Sequence, residues 1–75
     1  MIDLAEIRRA AGRTQVELAT ALNTSQGQIS RIERQSDLLV STLRAYLTAL
    51  GAEASLVVSV SGKTIAQELT AGRRR

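Results

Sequence analysis

The stretch from Thr14 to Arg34 constrains this chain more than any other. Two helix-start signals fall inside it. Thr14 precedes Glu17 by three residues, and Ser25 precedes Gln28 by three. Each is the spacing of a capping box: the hydroxyl accepts from the amide three residues on, and the Glu or Gln side chain reaches back. Val16, Leu18, Ala19 and Leu22 give the first segment an apolar helical face. Asn23 then tolerates a left-handed backbone. The spacing predicts helices over about 15–22 and 26–34, with only Asn23 and Thr24 between the first and the cap of the second. Helices joined that tightly cannot lie antiparallel and must cross steeply.

This is helix-turn-helix geometry, and further helices are predicted on both sides of it. Asp3 with Glu6 starts one over about 4–11, with Leu4, Ile7 and Ala11 at helical spacing and Gly12 as its stop. Residues 35–40 read as a loop that buries Leu39 and Val40. Ser41 is expected to cap a fourth helix over about 42–50, carrying Leu43, Tyr46, Leu47 and Leu50, with Gly51 ending it. Seventy-five residues leave room for one small core.

The period then changes. Ala54, Leu56, Val58 and Val60 alternate with Ser55, Val57, Ser59 and Ser61, the pattern of a half-buried strand. Residues 63–69 admit two readings: Thr64 and Gln67 could cap a short helix, or Ile65 and Leu69 could alternate in a weak return strand, which is slightly favoured. A strand leaves unpaired amides and carbonyls along its edges. Two completions are open, an intrachain hairpin against the fourth helix and the same strand from a second chain about a two-fold axis. The second is preferred, because small chains gain burial by oligomerising. Ala54, Leu56, Val57, Val58 and Val60 are then the dimerisation residues. Residues 70–75 are expected to be disordered.

Composition removes most chemistry. The chain has no Cys and no His, hence no thiolate or imidazole ligand, no Cys nucleophile and no His base. No enzyme activity, metal or cofactor is expected. No apolar run approaches the ~20 residues of a membrane span, and no signal-peptide pattern precedes the first helix. A cytosolic protein is the expectation. Ten basic and seven acidic residues leave a net charge of +3. Arg73, Arg74 and Arg75 account for all of it, so a nucleic-acid reading must rest on where charges sit.

They sit well. On a wheel of ~100° per residue, Ile29 and Ile32 face inward on the third helix. Gly27, Ser30, Arg31 and Arg34 lie opposite, flanked by Gln26 and Gln28. Gln can bond adenine N6 and N7, and Arg can bond guanine O6 and N7, in a major groove. A polar face on one helix is commonly just a solvated face; the tight turn before this one favours recognition. Gly27 costs ~1 kcal/mol of helix propensity and would let the backbone approach DNA. Gln15, Ser25, Arg13 and Arg34 are placed for phosphate contacts, which position without specifying.

Residues 14–33 closely resemble the Cro/phage-repressor type of helix-turn-helix, the XRE family. The match rests on Thr14, Gln15, Leu18, Ala19, Leu22, Ser25, Ile29, Ser30, Ile32 and Glu33. Asn23–Thr24 and Arg34–Gln35 depart from that family's usual Gly-Val turn and Asn-Gly exit. The resemblance implies a mainly α, four-to-five-helix, lambda-repressor-like domain over residues 1–52, followed by a dimerisation strand and extension over 53–69 and a basic tail over 70–75. It also implies that Ala19 packs at the helix crossing, that Gln15, Gln26, Gly27, Gln28 and Arg31 contact DNA, and that Arg8 pairs with Glu33. Residues 41–60 resemble the segment that follows this motif in small antitoxins of the HigA/HipB kind, where the strand pairs across a homodimer. The implied partners are a palindromic double-stranded operator, a second copy and a cognate toxin protein; the implied role is repression of its own operon. A stand-alone phage-like or restriction-control regulator is the alternative, and a pure protein-interaction module a third reading.

Overall fold

The computed structural model describes residues 2–70; of the disorder expected over 70–75, residues 71–75 lie outside the described residues, and the expectation is corrected at Thr70, which is buried and held by the Ala54 amide at the hairpin base. Four helices precede two strands: α1 (Leu4–Ala10), α2 (Gln15–Ala21), α3 (Gln26–Arg34), α4 (Val40–Ala49), β1 (Ser55–Val60) and β2 (Lys63–Glu68). The first three helices begin where local capping chemistry places them. Asp3 accepts from the Glu6 amide at 3.1 Å. Thr14 accepts from the Glu17 amide at 3.0 Å, while Glu17 Oε1 accepts from the Thr14 amide at 2.9 Å, so that box is complete. Ser25 accepts from the Gln28 amide at 3.1 Å, but the Gln28 side chain does not return to it. Between α2 and α3, Asn23 takes φ 58° and the Thr24 amide donates to the Ala19 carbonyl at 2.9 Å, closing α2 in a left-handed turn.

The core collects the inward positions of all four helices: Leu4, Leu18, Ala19, Ile29, Ile32, Tyr46, Leu47 and Leu50. Each fully buried aliphatic contributes about 1.5–3 kcal/mol relative to exposure. Ala19 is buried in it, and the lack of a larger side chain there lets α2 and α3 approach.

Two expectations about α4 are corrected. Ser41 is not its cap: the helix starts at Val40, and its N-cap is Leu39, which makes no side-chain cap bond. Leu39 and Val40 are not buried but 72% and 55% exposed. Leu39 has extended backbone, φ −67° and ψ 143°, so it leaves the helical wheel that would have turned it inward. Leu38 packs on the core instead.

The strand also has a partner within its own chain. β1 pairs antiparallel with β2, Leu56 opposite Gln67, Val58 opposite Ile65 and Val60 opposite Lys63. Ser61 and Gly62 take φ 52° and 78°, and two positive φ values in succession make the two-residue turn whose twist suits a hairpin. The return strand over 63–69 is thus the reading that holds. The expectation of a half-buried apolar face is corrected for the single chain: every residue of both strands is exposed. Only the hairpin base is tied down. The Leu69 amide donates to the Ala54 carbonyl at 2.9 Å, the Ala54 amide to Thr70 Oγ1 at 3.2 Å, and Arg44 Nε to the Leu69 carbonyl at 2.8 Å.

Candidate nucleic-acid interface

Capping sets the site. Because Thr14 and Ser25 are N-caps, Gln15 and Gln26 each occupy the first position of a helix, and the turn brings those starts together. Gln26 Nε2 donates to Gln15 Oε1 at 3.2 Å, and Gln15 Nε2 donates to Glu33 Oε1 at 2.9 Å. Glu33 in turn accepts from Arg8 Nε at 2.7 Å and from Tyr46 Oη at 2.6 Å, both at Oε2, with Arg8 Nη2 3.3 Å from Oε1. Arg8 Nη1 donates to the Arg13 carbonyl at 3.0 Å. One buried carboxylate therefore receives donors from α1, α2 and α4, and its influence runs out through Gln15 to the amide of Gln26 on the surface.

Burial pushes the Glu33 carboxyl up, but hydrogen bonds from Arg8, Tyr46 and Gln15 outweigh it and hold the group below its ordinary range. The hydrogen bond to Glu33 raises Arg8 above its ordinary value. Burial, reinforced by the Glu33 carboxylate, pushes the Tyr46 phenol well up. All three stay in the paired state, with carboxylate, guanidinium and neutral phenol, across the neutral range.

The structure brings the proposed DNA contacts to one surface but differentiates them. Gln26, Gln28 and Arg31 are exposed, and Gln28 and Arg31 make no side-chain hydrogen bond among the described residues. Arg34 Nη1 donates to Ser30 Oγ at 2.8 Å, so these two form a unit at the far end of α3. Ser25 accepts as a cap. Gly27 has ordinary helical φ, and a Cβ there would meet only Ser25 Oγ at 3.9 Å; nothing within the chain requires glycine. Arg13, Thr14, Gln15 and Gln26 line a cleft of about 520 Å³ that Arg9 also lines. Arg9 was not singled out from sequence, although it lies four residues before Arg13 at the end of α1. Tyr46, the single aromatic of the chain, has the spacing of a core residue and nothing in the sequence marks a second role; its hydroxyl also anchors Glu33 and lies 3.1 Å from the Leu4 carbonyl.

The proposed dimerisation residues divide. Leu56, Val58 and Val60 share one face of the hairpin with Ile65. Val57 lies on the other face, opposite Ala66. Ala54 packs on the core at the hairpin base. Among the described residues no cluster of acidic side chains could hold a metal, and no helix is long and apolar enough to cross a membrane.

Comparison with known proteins gives consistent matches. The profile of the helix-turn-helix family covers residues 4–57. A Mycobacterium tuberculosis (strain ATCC 25618 / H37Rv) protein named as the antitoxin HigA3 is 38% identical over 71 residues, 91% of this chain and 63% of the relative. One named as the antitoxin HigA2, from the same strain, is 36% identical over 63 residues, 81% of this chain and 62% of the relative. The chain thus spans a little under two thirds of either relative. Among solved structures, a HigA antitoxin described for DNA bending induced by a unique dimerization superimposes with TM-score 0.76 at 32% identity, over 89% of this chain and 93% of that one. The DNA-bound antitoxin HigA3 gives TM-score 0.77 at 35% identity, over 100% and 97%.

Proposed function

We propose a function from one premise: this chain belongs to the XRE-type helix-turn-helix family and is homologous to HigA antitoxins. It is a homodimeric, sequence-specific DNA-binding repressor, the antitoxin of a type II toxin–antitoxin pair that represses its own operon and neutralises a cognate toxin. It acts in the cytoplasm at the nucleoid and has no catalytic role.

The observation that carries the reading is the held amide of Gln26. One Nε2 hydrogen is committed to Gln15. The other, with Oε1, remains for a base edge, and a Gln so disposed matches adenine N7 and N6 together. Arg31, free on the same face of α3, takes guanine O6 and N7. Gln28 extends the base-reading row, and Gly27 lets the backbone close on the groove. Gln15, Ser25, Arg9 and Arg13 meet phosphate at the near end of the site, and Ser30 with Arg34 at the far end; such contacts fix register. Residues 1–52 form the DNA-binding unit and 53–69 the dimerisation unit, in which Ala54, Leu56, Val57, Val58 and Val60 take part.

A gel shift of the full chain on a fragment of its own promoter tests this. A shift that survives excess random DNA is expected, with two recognition helices about 34–36 Å apart on a palindrome. Equal competition by random and promoter DNA would refute specific repression. Co-expression with the neighbouring reading frame should yield a stable complex and relieve that frame's toxicity; a harmless neighbour that does not co-purify leaves a stand-alone regulator.

A further inference from the structure

Arg34 is the last residue of α3, and that place alone suggests a contact to phosphate at the far end of the site. Its side chain folds back from there. A helical side chain leans toward the N-terminus and covers the turn before its own Cα, and Arg34 Nη1 donates to Ser30 Oγ at 2.8 Å, one turn earlier. The guanidinium therefore lies at the level of Ser30, midway along α3. Gly27, Ser30 and Arg34 follow at intervals of three and four residues, so they share one face of the helix, turned away from the buried Ile29 and Ile32. Ser30 is small. At Gly27 there is no side chain, and a Cβ would meet only Ser25 Oγ at 3.9 Å. The guanidinium is thus presented beside an open strip of the surface turned to DNA.

We propose that Arg34 is a base-reading residue of the operator complex and that Ser30 is the residue that positions it. The inference rests on the DNA-binding reading above and adds to the phosphate contact given there: on random DNA the pair meets phosphate, and on the operator the guanidinium takes O6 and N7 of a guanine. The hydroxyl of Ser30 occupies one hydrogen of Nη1. The remaining donors of the planar fork stay free, since no carboxylate pairs with Arg34 among the described residues. A fork of this kind matches guanine O6 and N7 together. A phosphate asks only for charge, which an untethered side chain supplies as well; a base edge asks for an angle. Holding a long side chain in one rotamer has an entropic cost on binding, and the Ser30 bond meets part of it before DNA arrives.

The placement also separates this contact from the others on α3. Ser30 lies four residues beyond Gln26, ~6 Å along the axis, which exceeds the ~3.4 Å step between base pairs. Arg34 therefore reads a pair other than the one at Gln26. Arg31 leaves the helix ~100° round from Ser30, so the two arginines approach the groove from different sides of the open strip. Each half-site then carries a guanine for Arg34 besides the one for Arg31.

The test uses the full chain, the promoter fragment and random DNA of equal length, with every base pair of one bound half-site replaced in turn. Arg34→Lys keeps the charge and removes the fork. It should lose about 5- to 150-fold on the promoter and much less on random DNA. It should also lose discrimination at one G·C pair, distinct from the pair that Arg31→Ala relaxes. Ser30→Ala leaves Arg34 in place; it should lose several-fold on the promoter, again more than on random DNA, with weaker preference at that same pair. Ser30→Thr, which keeps a hydroxyl, should restore both. Equal losses of Arg34→Lys on the two DNAs, or relaxation of no pair beyond that of Arg31, would leave Arg34 a phosphate contact and overturn the proposal while the repressor reading stands. An unaltered preference in Ser30→Ala would overturn the positioning role. A wild type that does not distinguish the promoter from random DNA would overturn the repressor reading itself, and this proposal with it.

Discussion

Glu33→Gln is the most informative single substitution in this molecule. The carboxylate accepts from Arg8, Tyr46 and Gln15, with two donors at each oxygen. Glutamine has one acceptor oxygen and one NH2 group. Whichever way its amide turns, one pair of donors, either Arg8 Nε with Tyr46 Oη or Arg8 Nη2 with Gln15 Nε2, faces another donor. The Arg8 and Glu33 side chains are only 10% and 6% exposed, so water cannot replace the lost acceptor freely. Removing one partner of a buried ion pair costs about 3–5 kcal/mol. The lower end applies, since Arg8 keeps a bond to the Arg13 carbonyl. A chain of 75 residues has roughly 4–11 kcal/mol of stability in all, so the variant should melt about 12–24 °C lower. Removing the stranded cation as well, in Arg8→Met/Glu33→Gln, should recover part of that loss, because no unpaired buried charge then remains. Thermal and urea melts at fixed protein concentration measure all three differences. An unchanged melting temperature for Glu33→Gln, or a double variant that loses the sum of its singles, would refute the account.

Further outcomes follow from the same geometry. Glu33 titrates below its ordinary value of 4.5 in the folded chain, so its contribution is complete above that value and disappears as pH falls through the depressed one; the stability gap between wild type and Glu33→Gln should hold steady from about pH 7 to pH 5 and close on further acidification, and a gap that closes with rising pH would reverse the sign. Arg31→Ala should weaken specific binding by about 1–3 kcal/mol and relax preference at one base pair per half-site; equal losses on random DNA would make Arg31 a phosphate contact. Gly27→Ala should raise thermal stability by up to ~1 kcal/mol, because the site has space and helical φ, while reducing DNA affinity; unimpaired binding would show that no backbone approach occurs there. Gln15→Ala and Gln26→Ala should be coupled by about 0.5–3 kcal/mol in operator affinity, and strict additivity would mean that the 3.2 Å bond between them does not orient Gln26 on DNA.

What was legible in the sequence was local. Asp3, Thr14, Ser25 and Asn23 act within three or four residues of themselves, so the first three helices and the turn follow from spacing alone. Leu38, Leu39 and Val40 are three consecutive apolar residues at a helix start, where periodicity has no phase. The extended backbone of Leu39 decides which one turns inward, and no side-chain signal reports that. Thr64 and Gln67 mimic a cap, and the residues that settle β2 are Ser61 and Gly62, whose left-handed turn folds the strand back. The Arg8–Glu33 pair came from family resemblance. The bonds from Tyr46 and Gln15 to Glu33 join residues 13 and 18 positions apart, and nothing in a one-dimensional pattern marks such pairings.

The buried carboxylate answers a problem posed by the core itself. Seven of its eight side chains are aliphatic, and aliphatic packing is non-directional: it holds helices together while tolerating small rotations about their axes. A recognition helix cannot tolerate them, since a bidentate bond to a base edge depends on the angle at which the side chain is presented. Hydrogen bonds to a charged acceptor are directional and strong in a dry site. Glu33 belongs to α3 and is gripped from α1 by Arg8, from α2 by Gln15 and from α4 by Tyr46, so the rotation of α3 is referred to all three neighbours at once. Gln15 then spends its other end on Gln26. The group that fixes the helix and the group proposed to read a base are thus separated by one side chain, and a change that loosens the first should disturb the second even in a chain that remains folded.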